Sequence, residues 1–174
     1  MSRFISRLGV LALLGAAAAC QRRAPDAPQA DSLLFTALLN RLLSQDVPLV
    51  SVAQLKQQPA AVLLDTRAPA EFAVSHLRGA RLVGYDTFSL AEVQDLPKDA
   101  PLVVYCSIGA RSGKVGEQLR RAGYSNVRNL YGGIFEWVNE GNPVVTAGNQ
   151  LTNHVHPYSP TWGIWLRRGQ KVYQ

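Results

Sequence analysis

The run Leu102-Val103-Val104-Tyr105-Cys106-Ser107-Ile108-Gly109-Ala110-Arg111-Ser112-Gly113-Lys114-Val115-Gly116 decides how the rest of the chain is read. Leu102 to Tyr105 has the length and composition of a strand buried on both faces. Cys106 ends that run, and Val115, Gln118 and Leu119 begin an amphipathic helical pattern. A cysteine set between a buried strand and a helix start meets converging backbone N–H groups and the positive end of the helix dipole. Both favour an anion at the sulfur. That field favours the thiolate, which is the nucleophilic form of the side chain. Arg111 adds a permanent charge with a planar fork suited to an oxyanion.

Outward from this run, strands and helices alternate. Ala61 to Leu64 reads as a second buried strand ending in Asp65-Thr66-Arg67, and Pro69 opens a helix at its first turn, followed by Glu71 and Phe72. Asp65 and Arg67 thus stand at the carboxyl end of a strand, where parallel sheets place their sites. Upstream, Ser51 caps a short helix over Val52 to Gln57 that Pro59 terminates. Arg81 to Val83 reads as a short strand and Ser89 to Val93 as a helical turn or two. Downstream, Gly123 is a natural left-handed helix stop. Val127 to Leu130 makes another strand, and Gly132-Gly133 permits a sharp turn close to the cysteine loop. Trp137 is expected in the core. The alternation predicts an α/β fold on a parallel sheet.

The spacing within the loop narrows the chemistry. Ser107 to Ala110 separate Cys106 from Arg111, whereas cysteine phosphatases have one residue more there. The tighter ring leaves little room for a tetrahedral phosphate but can surround the outer sulfur of a persulfide. Here the chain resembles the rhodanese family of sulfurtransferases, roughly over Val50 to Val144. Besides the loop, D-T-R-A-P-A-E-F with His76, Gly79 and Ala80 resembles the family's upstream signature. Leu130 to Trp137 resembles the downstream one, L-x-G-G-x-x-x-W. The resemblance implies a rhodanese-like parallel sheet with helices on both faces. It implies Cys106 as nucleophile and persulfide carrier, a cradle formed by Ser107, Ile108, Gly109, Ala110, Arg111 and Ser112, and Arg111 as anion-binding or loop-bracing. Asp65, Arg67 and Glu71 are expected to brace the loop's surroundings rather than to react. His76 is expected to cap or hydrogen-bond, because persulfide chemistry needs no general base. The implied partners are a small anionic sulfur donor, such as thiosulfate, and a thiophilic acceptor, with no cofactor.

The N-terminus reads as a targeting segment. Arg3 and Arg7 form a positive region, Leu8 to Leu14 an apolar stretch too short for a transmembrane span, and Gly15 to Ala19 a small-residue cleavage site. Cys20 follows directly, as in a bacterial lipoprotein signal, which residues 1–19 resemble. The resemblance makes Cys20 the lipid attachment point. The expected location is then the cell envelope, facing the periplasm. Ala17 stands where a leucine is usual, so ordinary secretory cleavage to a soluble periplasmic protein is the alternative. Residues 20–30, rich in Pro and Ala, form a tether. With Cys20 lipidated, Cys106 is the only other cysteine in the chain and cannot form an intramolecular disulfide. An exported free thiol points to chemistry.

The chain's 174 residues suit one domain with appendages. Its net charge of +6 is spread without a cluster of basic and aromatic residues, which argues against nucleic acid. Residues 31–48 predict a helix capped by Asp31 or Ser32 and ended by Pro48. Its broad apolar face combines Leu34, Leu38 and Leu42 with Phe35, Leu39 and Leu43. Residues 49–145 form the central domain. The extension 146–174 carries Tyr158, Trp162, Trp165 and Tyr173, too aromatic for a disordered tail, and is expected to fold back on the domain. His154 and His156 would share one face of a strand. No third metal ligand stands nearby in sequence, so no metal site is assigned. Instead, these two histidines are candidates to reach the loop and shape acceptor choice. Two functional classes follow: a sulfurtransferase, and a non-catalytic binding or sulfur-carrier module on the same scaffold. Docking alone would require neither Cys106, Gly109 nor Arg111, which favours the enzyme. A phosphatase or arsenate-reducing role comes third, opposed by the short loop.

Overall fold

The computed structural model describes residues 32–173. The expected signal peptide, Cys20 and the tether lie outside them. The four apolar residues of the opening run form the centre of a five-stranded, all-parallel sheet, in the order β1-β5-β4-β2-β3. The strands are β1 (Leu49–Val50), β2 (Val62–Asp65), β3 (Arg81–Leu82), β4 (Leu102–Tyr105) and β5 (Val127–Leu130). Side chains alternate across a strand, and β4 shows the consequence. Val103 and Tyr105 enter one apolar cluster, while Leu102 and Val104 enter another. The first cluster is covered by α1 (Leu33–Leu42), α2 (Val52–Lys56) and α5 (Gly133–Asn139). The second is covered by α4 (Ala110–Arg121) and the 3-10 turn Leu90–Val93. Helices on both faces explain why β4 is apolar throughout. The short helix α3 (Pro69–Val74) follows β2.

Local chemistry accounts for most boundaries. Ser51 and Gln54 form a reciprocal capping box at the start of α2. Pro69 sits in the first turn of α3, where its missing N–H is harmless. In three places the fold departs from the expectation. Helix α1 is capped by Ser32, whose hydroxyl accepts the Phe35 N–H, and it stops at Leu42 well before Pro48 because Leu43 turns extended. Of its two apolar rows only Phe35–Leu39–Leu43 is buried. Leu34 is 75% exposed and Leu42 40%, because a helix lying on a sheet buries one stripe. Helix α4 starts at Ala110, not near Val115, so Arg111 and Ser112 belong to its first turn. Trp137 is only partly buried, its indole N–H donating to the Pro143 carbonyl at the surface.

The segment beyond the sheet packs on the face covered by α1. Val144–Val145 (β6) pairs antiparallel with Leu151–Thr152 (β7), and His154–Val155 (β8) pairs parallel with Gln170–Lys171 (β9). Between the latter two lies the single turn α6 (Pro160–Gly163). Val155 and Leu166 are buried in the first cluster, and Trp165 stacks on Phe35 with ring centres 5.2 Å apart. Buried Asn139 at the end of α5 clips this segment down. Its amide donates to the Trp165 carbonyl, and its oxygen accepts the Arg167 N–H at 2.8 Å.

Candidate active site

Cys106 follows the last residue of β4, at the carboxyl edge of the sheet, and is buried. The chain then turns through Ser107, Ile108 and Gly109 into α4. Gly109 has φ +103° and caps that helix, a conformation that disfavours any residue with a Cβ. This turn brings the Gly109 N–H back onto the Cys106 sulfur, 3.2 Å away. The start of α5 holds the loop from below. The Ile134 and Phe135 N–H groups donate to the carbonyls of Cys106 and Ser107, at 2.9 and 3.1 Å. Those carbonyls are thereby occupied and tied back. A Cβ on Gly133, whose φ is +56°, would stand 2.3 Å from the Cys106 carbonyl oxygen, which explains the paired glycines noted in the sequence.

The side chains of the loop are locked by residues from other elements. Arg111 does not present a free fork to an anion as one expectation had it. Instead it brackets the Glu71 carboxylate with two hydrogen bonds of 2.8 Å and donates a third to the Ser107 hydroxyl at 3.1 Å. Ser107 in turn donates to Glu71. Burial opposes the Arg111 charge, yet its bonds to Glu71 and the nearby Cys106 sulfur hold its pKa above the ordinary value. Burial likewise pushes Glu71 up, but Arg111 and the Ala68 N–H outweigh it and hold the carboxyl below its usual range. Glu71 therefore stays ionised and ties α3 to α4 through the loop. At the far side, buried Asn129 on β5 accepts the Ser112 hydroxyl at 2.7 Å and donates to the Gly109 carbonyl at 2.8 Å. Sequence reasoning missed Asn129. The signal was there, since an amide in the strand V-R-N-L must find partners if it is buried.

Asp65 and Arg67 form a fully buried ion pair at the end of β2, with Nη2 to Oδ2 at 2.7 Å. Arg67 also donates to the Ser75 carbonyl at 2.6 Å, and the Thr66 hydroxyl donates to the Tyr105 carbonyl. These contacts pin α3 and the end of β4 from behind, and neither Asp65 nor Arg67 lines the cavity described next. His76 is buried, with Nδ1 3.1 Å from the Phe72 carbonyl and its ring stacked on Phe72. Ile108 is buried at the edge of the first apolar cluster.

Above Cys106 lies a cavity of about 220 Å³, lined by Cys106, Ser107, Ile108, Ala110, Arg111, Leu42, Tyr158 and Trp162. The tail histidines do not line it, contrary to expectation. His154 faces solvent and bonds Gln170, while His156 uses Nδ1 to accept the Tyr158 N–H at 3.1 Å. His156 lies one residue beyond the strand, which ends at Val155, and stays close enough to Glu71 and Arg111 to feel their charges. Tyr158 takes their place, its ring lying over the Arg111 guanidinium at 4.7 Å. Tyr158 has φ +66°, and the Ser159 N–H closes a tight turn to the Pro157 carbonyl at 2.8 Å. A bulky residue held there costs roughly 1–3 kcal/mol. Among the described residues no cluster of three or more metal-ligating side chains occurs.

A thiol at the carboxyl edge of a parallel sheet, within a loop that continues into a helix, defines an α/β protein organised around a cysteine loop. The profile of the rhodanese-like domain matches residues 49–140, just over half of the chain. This protein belongs to the rhodanese-like family. A sulfurtransferase of Allochromatium vinosum is 37% identical over 48% of this chain and 78% of its own length. A thiosulfate sulfurtransferase of Tolumonas auensis is 30% identical over 66% of this chain and 93% of its own. Among solved structures, a rhodanese-related protein of Thermoplasma volcanium is 30% identical, covering 56% of this chain and 97% of that one, with a TM-score of 0.51. Other curated relatives are longer, and this chain spans only 55% of one of them.

Proposed function

We propose that this protein is a sulfurtransferase that carries a sulfane sulfur on Cys106. The observation that carries the reading is the placement of the Cys106 sulfur. It accepts the Gly109 N–H at 3.2 Å and opens onto a cavity, while the carbonyls that would repel an anion are tied to the start of α5. In the first step the Cys106 thiolate attacks the outer sulfur of a donor such as thiosulfate. A new S–S bond forms as the old one breaks, and sulfite departs with the bonding pair. The Cys106 persulfide then holds its negative charge on the outer sulfur. Loop amides at the start of α4 stabilise that charge as preorganised donors, an effect of roughly a few kcal/mol. In the second step an acceptor nucleophile, cyanide in an assay or a thiolate, attacks the outer sulfur and regenerates the Cys106 thiolate. No proton need move at sulfur in either step, which leaves His76 its structural role.

The test combines turnover and mass. Thiosulfate-to-cyanide transfer is expected for the wild-type chain and is expected to vanish in Cys106→Ser. Intact-mass measurement of the donor-treated protein should show one added sulfur atom, absent from the serine variant. A folded wild-type chain that gains no sulfur from any sulfane donor would sink the reading and leave a docking module on the same scaffold.

A further inference from the structure

The cavity over Cys106 is completed by residues outside the matched family domain. Leu42 comes from α1, and Tyr158 and Trp162 from the C-terminal segment. All three are largely apolar, and Leu42 and Tyr158 stand at the mouth, exposed. Arg111 is the one cation among the lining residues. Each of its terminal nitrogens donates to Glu71, the group also serves Ser107 and the Cys106 sulfur, and Tyr158 covers its face. A small dianion entering here would shed water against apolar walls and meet a single cation already shared between Glu71 and the Cys106 sulfur, which is costly. An apolar body would gain from the same walls. The space is ample, because apolar cavities of about 150 Å³ take up benzene. The fold also holds Tyr158 in an unfavourable backbone conformation to place its ring over Arg111.

We propose that this site takes sulfane-sulfur compounds carrying an alkyl or aryl body in preference to small dianions, and that Tyr158 and Trp162 set that preference. The proposal deepens the sulfurtransferase reading and rests on it for the identity of the reacting group. With an aryl thiosulfonate as donor, the Cys106 thiolate takes the outer sulfur and the aryl sulfinate leaves with the bonding pair. The atoms therefore balance as they do for thiosulfate.

Binding and turnover are measured separately. Full-length Cys106→Ser, which cannot accept sulfur, is titrated calorimetrically with benzenethiosulfonate and with thiosulfate. The aryl compound is expected to bind at least about tenfold tighter, as a few methylenes of apolar contact allow, with a negative heat-capacity change. Adding Tyr158→Gly, which suits the positive φ and so preserves the fold, is expected to cut that ratio about tenfold. Trp162→Ala is expected to cut it as well, and thermal melts verify that both variants are folded. Equal affinities, tighter thiosulfate binding, or a ratio unmoved by both substitutions would overturn the proposal. Absence of turnover with both donors in the Cys106 protein would instead overturn the sulfurtransferase reading, whatever the binding ratio.

Discussion

Glu71 and Arg111 lie 40 residues apart in the chain and are joined beside the loop by two hydrogen bonds of 2.8 Å. Their pairing shows how a carboxylate on one helix fixes a charged side chain beside Cys106. Glu71 is buried, caps α3 through the Ala68 N–H, and accepts from both Arg111 and Ser107. Glu71→Gln keeps the shape and removes the charge, leaving Arg111 to seek water or swing toward Cys106. A fully buried pair broken in this way costs about 3–5 kcal/mol. Here the Arg111 side chain is 21% exposed, so about 1–3 kcal/mol is expected, read as a shift in the urea midpoint. Turnover should fall roughly 10- to 100-fold, because small displacements at a positioned group have effects of that size. A variant with unchanged turnover would show that Arg111 does not depend on Glu71 for its place.

At the scale of the element, α5 couples the loop to a titratable group. The amides of Ile134 and Phe135 hold the Cys106 and Ser107 carbonyls, and the next residue, Glu136, is buried. Burial, with the nearby charge of Glu140, pushes the Glu136 carboxyl up to about 7 from its ordinary 4.5. The folded protein keeps that proton up to about pH 7, while the unfolded chain releases it near 4.5. Between these values the unfolded state binds fewer protons, so stability falls as pH rises through the window. The drop is on the order of 2–3 kcal/mol, at about 1.4 kcal/mol per pH unit. Denaturant melts at pH 5 and pH 7.5 should show it, and Glu136→Gln should flatten it. Equal pH slopes for the two proteins would place the titration elsewhere. The element scale also shows where periodicity stops being informative. The apolar rows of α1 were plain in the sequence, but which row faced the sheet was not. Leu42, on the row left out, became part of the cavity instead.

For the molecule as a whole, the segments flanking the family domain are part of the core rather than decoration. Phe35 and Trp165 stack across it, and Val155 and Leu166 fill the cluster that α1 and α5 also share. Burying Val, Leu and much of a Trp is worth roughly 5 kcal/mol, against a total of about 5–15 kcal/mol for an ordinary domain. A chain ending at Thr146 is therefore expected to melt roughly 15 °C lower or more, and calorimetry on the purified truncation checks this. A truncated chain with the full-length midpoint would show the segment to be energetically idle. The same segment supplies Tyr158 and Trp162, so one stretch of chain both stabilises the fold and shapes the entrance to Cys106.

The strand–cysteine–loop–helix order and the sheet class were legible in the sequence, as was the place of Cys106 at the end of the central strand. They depend on nearest-neighbour rules: apolar runs, glycines at turns, a proline at a helix start. The partner of Arg111, the amide clamp of Asn129 and the tyrosine over the loop were decided only when distant segments packed together. Side-chain pairing across tens of residues is set by which faces meet, and a linear pattern carries no record of that. Arg111 illustrates the division. Its charge and its place beside Cys106 could be read directly, but its pairing with Glu71 and the tyrosine laid over it belong to the folded molecule alone.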